Sequence, residues 1–457
     1  MKGEIVLQKS VIDKILDVIL KSGAVYAEIY SEDTWKDQIS MAQGQVTKMR
    51  SGVDAGVGIR ICDANGWRYL CSSDSREEAL LGLVKENLLS AGEIRTSVRG
   101  IKRRFTPQRA SIQKELKLLE ACDRAGRAGA SRIRDMRVKY LDTDQYVQIA
   151  NSEGLYQEDE RRKVRLYVEA IAERDGEVAS SHIGPGRRGG PEFFQEIDLM
   201  GQVKKTAAAA EHLLGAVPCP GGFMPVIIAS GFGGLFFHEA CGHSLEASSV
   251  RDGGSEFSGR VGEQVASDKV TLIDDGALPG GYGSSDVDDE GIPTRKNVLI
   301  QHGILKTYLS DRADGEKIGL PQNGNSRRES YRYAPISRMS NTYIEPGETS
   351  PGEMISSIQK GLYVKSLHAG SVNSMTGEFN FHTKEAYLIE HGEITTPVKS
   401  VTLAGVGGEV LQKIEMVGSD FKMGQGFCFA GSGTLSISVG QPSIKVSDML
   451  IGGEQIG

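Results

Sequence analysis

Residues 215–223, GAVPCPGGF, set three glycines and two prolines within nine positions, a stretch that neither a helix nor a paired strand crosses easily. It falls near the middle of a chain of 457 residues, longer than one hydrophobic core usually serves, so two domains of about 200 residues each are expected. The break assigns residues 1–215 to one domain and residues 223–457 to the other, and the hydrophobic pattern changes across it.

Before the break, helical and strand patterns alternate. In VIDKILDVILKSG the apolar Val11, Ile12, Ile15, Leu16 and Ile19 recur at helical spacing with Asp13, Lys14 and Asp17 between them. That pattern predicts an amphipathic surface helix, not a signal-peptide core or a membrane span. AVYAEIYSED, DQISMAQGQVTKMRSG and AGVGIRICDANGWRYLCSSD read as strands divided by Gly, Asn and Asp turns, and SREEALLGLVKENLLSAG as a helix closed by Gly92. The order returns with YVQIANSEGLYQED and KVRLYVEAIAERDGEVASSH, then a helix from about Phe194 to Leu214, which suggests a structural repeat inside the first half. After the break come strands punctuated by glycine, among them KVTLIDDG, NVLIQHGILKTYLSD, EAYLIEHGEITTPVKSVTLAG and TLSISVGQPSIKVSDMLIGG, with a short helix near SPGEMISSIQKG. The expected class is α+β: an α/β N-terminal domain followed by a β-rich domain, barrel-like or sandwich-like, with one further helix embedded in it.

Charge does not announce a partner. With a net charge of −7 and 25% charged residues, no global basic field recruits nucleic acid and no acidic tail is present. The six cysteines, Cys62, Cys71, Cys122, Cys219, Cys241 and Cys428, form no CxxC pair and no dense disulfide framework, which fits a reducing cytoplasm.

The embedded helix carries the chemistry. MPVIIASGFGGLFFHEACGHSLEASS reads as a buried strand, a glycine turn and a helix starting near Gly234. It sets His238, Glu239 and His243 in an HExxxH spacing, one residue longer than the HExxH of zinc hydrolases. At ~100° per residue, five positions swing the two rings about 140° apart, against about 40° for four. A π-type turn absorbs one residue and returns His243 to the face of His238, so the stretch is expected to widen there, with Gly242 easing the distortion. Glu239 occupies the position of a general base. A catalytic zinc holds three protein ligands and keeps one position open, so a third ligand is needed.

Spacing leaves Cys241, Glu246, His302, His368, His382, His391 and Cys428 as candidates. Cys241 reads as a small buried hydrophobe, and Glu246 as a ligand or a carboxylate that orients a histidine. Cys428, in MGQGFCFAGSG, is flanked by glycines that let a loop approach another backbone. The same spacing also accommodates a satisfied core histidine and a capping one, with no metal. Elsewhere, SGFGG lacks the Lys-Ser/Thr of a phosphate loop and reads as a strand-to-helix turn. SSDVDDEG lacks EF-hand spacing, which leaves Asp286, Asp288, Asp289 and Glu290 in an exposed acidic turn. Arg327, Arg328, Arg332 and Arg338 suit either a grip on a peptide carboxylate or structural ion pairs, and GRRGGPEF reads as a loop.

HEACGHSLEA, FSGRVGEQVAS, DDEGIPTRKNVLIQHGILKTYLSDR, NGNSRRESYRYAPISRMSNTYIEPG, TGEFNFHTKEAYLIEHGEITTPVKSVTLAG, MVGSDF and VGQPSIKV follow one another in an order that resembles the TldD branch of the TldD/PmbA zinc metallopeptidases. In the first half the resemblance rests on GVGIRICDANGWRYLCSSD and QIANSEG. It implies that His238, His243 and Cys428 bind zinc and that Glu239 is the catalytic base; GFCFAGSG departs from the more usual GxCG-like run. It implies hydrolysis of unfolded or small peptides held in extended conformation along a sheet edge, for which NSMTGEFNFHTKEAYLI is the candidate strand. It also implies a dimer, either a heterodimer with a metal-free paralogue of the PmbA/TldE branch or a homodimer; the charge and helix patterns above add the expectation of no nucleic-acid or membrane partner. The contrasting expectation is a non-catalytic modulator that binds partners around a structural zinc, a site that four protein ligands would normally close.

Overall fold

The alternation in YAEIYSEDTW organises the first half of the computed structural model, which describes residues 7–88, 96–97 and 111–453. Tyr26–Ala42 pairs antiparallel with both Gln45–Asp63 and Ile133–Asn151, and the latter with Tyr156–Arg174. These strands of 17 to 19 residues make ribbons about 60 Å long, flanked by the shorter Gly66–Ser72 and Glu177–Ile183. Ala27 and Ile29 face the helices Lys9–Lys21 and Glu77–Leu88, while Ile39 and Met41 face Ile112–Gly129 and Leu199–His212. The alternate residues turn to the other face and meet the second half of the chain: Glu28 accepts from Arg328 at 2.7 Å and Glu32 from the Tyr331 amide at 3.0 Å. A helix, three antiparallel strands and a helix thus occur in that order twice, in residues 9–88 and 112–212, the second time with the short strand Gly186–Arg188 and the short helix Phe193–Glu196 inserted before the last helix. The expected closure of the second helix at Gly92 lies outside the described residues.

Two local expectations change. The helix expected over Phe194–Leu214 is two helices, Phe193–Glu196 and Leu199–His212, because Asp198 leaves helical geometry to cap the second through the Gly201 amide. GRRGGPEF is not simply a loop: Gly186–Arg188 is a strand on Tyr156–Arg174, fixed by Arg188 to Asp286 at 2.6 Å.

In the second half, Gly222–Ile228, Lys360–Val372, Glu378–Glu390, Thr402–Val406 and Ile444–Gly452 pair around a closed ring, a five-stranded barrel. Beside it lies a six-stranded sheet in the order Ile304–Leu305, Lys296–Gln301, Leu272–Asp275, Asn341–Ile344, Gly433–Gln441 and Lys422–Ala430. The helical segment from Phe232 to Val250 is embedded between the two. Its Phe236, Phe237, Cys241 and Leu245 share one core with Ile228, Phe381 and Leu403 of the barrel and Leu272, Ile300 and Ile344 of the sheet. Each fully buried phenylalanine there stabilises by about 2–3 kcal/mol. The short helix expected near SPGEMISSIQKG is Pro351–Ser356, begun by a reciprocal capping box between Ser350 and Glu353.

The strand expected to offer an edge, Glu378–Glu390, is paired on both sides within the barrel. The acidic turn is also reassigned: Asp286 is exposed, but Asp288, Asp289 and Glu290 are buried at the junction of the two halves. Arg161 holds Asp289 at 2.6 Å, Arg60 bridges Glu28 and Glu290, and Arg328 donates to Glu28. Those arginines compensate the desolvation that would otherwise keep such carboxylates at the surface.

Candidate metal centre

A single turn of irregular helix positions both histidines. The strand Gly222–Ile228 ends in a glycine turn, with Gly231 at φ 90°, and the chain then winds through Leu235–Phe237 into a π-helical turn over His238–Gly242. The His243 amide donates to the His238 carbonyl, the five-residue bond that absorbs the extra residue of HExxxH. The rings accordingly lie on one face, centroids 4.9 Å apart and nearly perpendicular. Gly242 has ordinary helical angles, φ −58° and ψ −49°, so the backbone does not require a glycine there. Its neighbour does: a Cβ would lie 2.2 Å from the Met339 sulfur.

Cys428 arrives on a strand, Lys422–Ala430, instead of a loop. Gly424 and Gly426, on the same face of that strand as Cys428, admit the Phe232 ring; a Cβ at Gly424 would stand 2.8 Å from Phe232. The hairpin thereby closes on the helix, and the Cys428 Sγ stands 3.3 Å from His243 Nε2. One donor atom from each of His238, His243 and Cys428 can be chosen such that all lie within 4.8 Å of one another.

The surroundings orient these donors. Glu246 Oε2 lies 3.1 Å from His243 Nδ1 and Nε2 faces Cys428, so a metal ion would take the place of any proton on Nε2 while Glu246 keeps the one on Nδ1. The other Glu246 oxygen accepts from the Met339 amide at 3.2 Å and lies 3.8 Å from the Arg338 Nε. Arg338, 1% exposed, also donates to the Ser432 hydroxyl and the Gly433 carbonyl, and so ties the Cys428 hairpin to the histidine's carboxylate partner. Glu239 is 19% exposed with Oε2 3.9 Å from His243 Nε2, and burial raises its carboxyl above the usual range. His238 is fully buried, and neither ring nitrogen has a hydrogen-bond partner. Burial, then the neighbouring His243 and Arg338, push its pKa well below the usual value, so the ring is neutral with a lone pair free. Burial, the largest single influence, would lower His243 as well, but the charge and hydrogen bond of Glu246 together with Cys428 outweigh it and raise that ring.

Buried polar atoms in a folded protein are almost always paired, so a doubly orphaned imidazole beside a second imidazole and a thiol fits a set that could hold a metal ion. Two imidazoles and a thiol suit a borderline-soft divalent metal such as zinc. The other candidates lie elsewhere. Cys241 donates to the Phe237 carbonyl and is pushed up by burial, while His302, His368, His382 and His391 are exposed. Of the four arginines, Arg328 and Arg332 make ion pairs, Arg327 donates to the Met339 and Ser436 carbonyls, and Arg338 supports the centre. The role of Arg338 had no local signal, because its partners lie on separate segments of the chain.

Comparison with known proteins defines the class. Three descriptions of the PmbA/TldA metallopeptidase fold cover the chain in order: domain 1 over residues 27–91, the central domain over 105–214 and the C-terminal domain over 221–453. The chain belongs to the PmbA/TldD metallopeptidase family. It is 34% identical to the metalloprotease TldD homolog of Haemophilus influenzae, over 96% of this chain and 95% of that one. It is 31% identical to a metalloprotease of Methanothermobacter thermautotrophicus, over 94% and 95%. Two solved structures share the fold at lower identity. A putative modulator of DNA gyrase from Thermotoga maritima superposes with TM-score 0.80 at 23% identity, covering 97% of this chain and 100% of that one. TldE from Thermococcus kodakarensis superposes with TM-score 0.77 at 21% identity, covering 97% and 100%. Among the described residues no helix is long and apolar enough to cross a membrane.

Proposed function

We propose that the protein is a cytoplasmic zinc metallopeptidase that hydrolyses unfolded or small peptides, with His238, His243 and Cys428 as ligands and Glu239 as general base. The observation that carries the reading is the buried His238 with two unpartnered ring nitrogens, 4.9 Å ring to ring from His243, whose Nε2 meets Cys428. When bound, zinc supplies a Lewis acid that polarises the scissile carbonyl and makes water nucleophilic near neutral pH. Three ligands, not four, favour an open catalytic position over a closed structural one. Glu239 takes a proton from the attacking water and hands it to the leaving nitrogen; its raised pKa makes it a stronger base than an exposed carboxylate.

The substrate edge is Lys422–Ala430, the outermost strand of the six-stranded sheet. Its hairpin closes at Ala430 and Gly433 around Gly431–Ser432. A two-residue turn closes on a hydrogen-bonded pair, so Cys428 and Gly426 also bond inward, while Phe427 and Phe429 turn their backbone groups outward. An extended peptide adds to those outward groups beside Cys428, a mode that reads backbone and tolerates many side chains. The likeness to TldE supports a dimer with a metal-free paralogue. The test is metal analysis joined to peptide digestion, with the paralogue supplied, on wild type and Glu239→Ala. Zinc retained and cleavage lost in the variant is expected. Metal present with no cleavage that depends on Glu239 would favour a binding protein with a structural zinc.

A further inference from the structure

The outer edge of Lys422–Ala430 is closed at one point. By the alternation that turns Phe427 and Phe429 outward, Gln425 also directs its backbone carbonyl away from its partner strand, and there it accepts from Arg165 Nη2 at 2.7 Å. The Gln425 side chain accepts from the Gly186 amide at 3.3 Å. Arg165 donates further to the Gly184 carbonyl at 3.4 Å, and its guanidinium lies 4.9 Å from the Phe427 ring centroid. Two positions before Arg165 on Tyr156–Arg174, and on the same face of that strand, Lys163 donates to the Ser436 hydroxyl at 2.8 Å. Among the described residues neither cation has a carboxylate within 4 Å, in contrast to Arg161, which is held by Asp159 and Asp289. Burial lowers the pKa of Arg165, and burial with nearby Arg327 and Arg161 lowers that of Lys163 strongly. Arg165 lines a cavity of about 350 Å³ with Phe193, Phe232 and Met423, and Lys163 lines another of about 290 Å³ with Phe427. A buried cation without a counter-charge is costly, and an arriving anion removes that cost.

We propose that Arg165, with Lys163 beside it, receives the C-terminal carboxylate of a peptide laid along Lys422–Ala430, so that substrates are taken by their free C-terminal end. This rests on the peptidase reading above. The planar guanidinium offers paired donors that match a carboxylate. Its bond to the Gln425 carbonyl fills the place where a longer strand would donate its next N–H, so the substrate ends there. A terminus at Gln425 with the preceding residues beside Phe427 and Phe429 runs antiparallel to the edge strand. Gln425 and Cys428 are three residues apart, ~10 Å of strand, which puts the scissile bond about two or three residues from the substrate's end. Water's hydroxyl goes to the carbonyl carbon, its proton goes to the leaving nitrogen, and a short C-terminal fragment departs.

The test uses pairs of labelled peptides of one sequence, ending in a free carboxylate or an amide. On the full-length Glu239→Ala protein the acid is expected to bind about tenfold more tightly than the amide, as a charge-assisted contact provides. Arg165→Gln, in the same background, brings the acid down to the amide's affinity, and Arg165→Lys restores part of the difference. With wild type, mass spectrometry should find di- and tripeptides from the C-terminus. Equal binding of acid and amide, or cleavage at internal bonds regardless of distance from the end, overturns the proposal. The comparison on unaltered Arg165 decides even where the Arg165→Gln protein does not fold. Indifference to amidation with Glu239-dependent cleavage intact defeats this inference alone, whereas absence of Glu239-dependent cleavage defeats the peptidase reading itself.

Discussion

At the junction between the two halves, Glu28 meets Arg60 and Arg328, and Asp289 meets Arg161. His238 is as deeply buried, yet both its ring nitrogens face no protein partner. Both regions remove strongly polar groups from water, and they differ in how the cost is met. The junction meets it from within the chain, at formation of the fold, so its product is a fixed relation between the halves. The candidate metal centre leaves part of the cost unmet, and on the proposed reading a zinc ion would meet it. Buried polarity by itself is therefore uninformative; what distinguishes His238 is that its unpartnered nitrogens lie beside a second imidazole and a thiol, whereas the unpartnered oxygens of buried Asp311 lie near the carboxylate of Glu290.

The largest expected effect strikes the incomplete region. Cys428→Ser should weaken zinc binding on the order of a thousandfold while leaving the fold intact, since a hydroxyl is a poor substitute for a thiolate. Elemental analysis showing unchanged zinc would mean that Cys428 is not a ligand. Next comes the complete region: Arg328→Met leaves part of Glu28 and Asp289 uncompensated and should cost about 3 kcal/mol by denaturant melts, with zinc affinity unchanged. A loss of zinc without a loss of stability would mean that the two regions are not separate. Glu246→Gln removes the charge behind His243 Nδ1 but keeps an acceptor, so zinc should weaken by about tenfold, measured by competition with a chelator.

The centre was partly legible because its key constraint is local. A step of five positions from one histidine to the next on a helix demands an extra residue in the turn, and the π bond from the His243 amide to the His238 carbonyl supplies it. Gly242 serves packing and not backbone strain: strain is a local inference, whereas the contact with Met339 comes from a segment distant in sequence. The same limit explains the acidic turn. A run of carboxylates reads as solvated unless its counter-charges are visible, and Arg161 lies 128 residues before Asp289. Cys428 showed its glycines but not its strand, because the glycines serve Phe232 at the start of the helix. The closed barrel left no pattern beyond glycine-punctuated strands, since closure is a property of pairing and not of any one segment.

Glu32 lies between the two cases and supplies the smallest and sharpest test. It sits at the junction, but its hydrogen-bond donors are neutral: the Tyr331 amide, the Gln145 side chain, and the Thr34 and Tyr30 hydroxyls. Burial raises its pKa from 4.5 to about 7, against the pull of those hydrogen bonds. A carboxyl whose folded pKa lies above its unfolded one binds more protons in the folded state between the two values, so stability falls as pH rises from about 4.5 to about 7 and is level beyond. Glu32→Gln keeps the shape and an acceptor for Tyr331 while the hydroxyls rotate to suit the new amide. It should therefore gain on the order of 1–3 kcal/mol at pH 8 and little at pH 5. Equal shifts in melting temperature at both pH values would show that Glu32 is compensated in the folded state after all, and would move it from the unanswered class to the answered one.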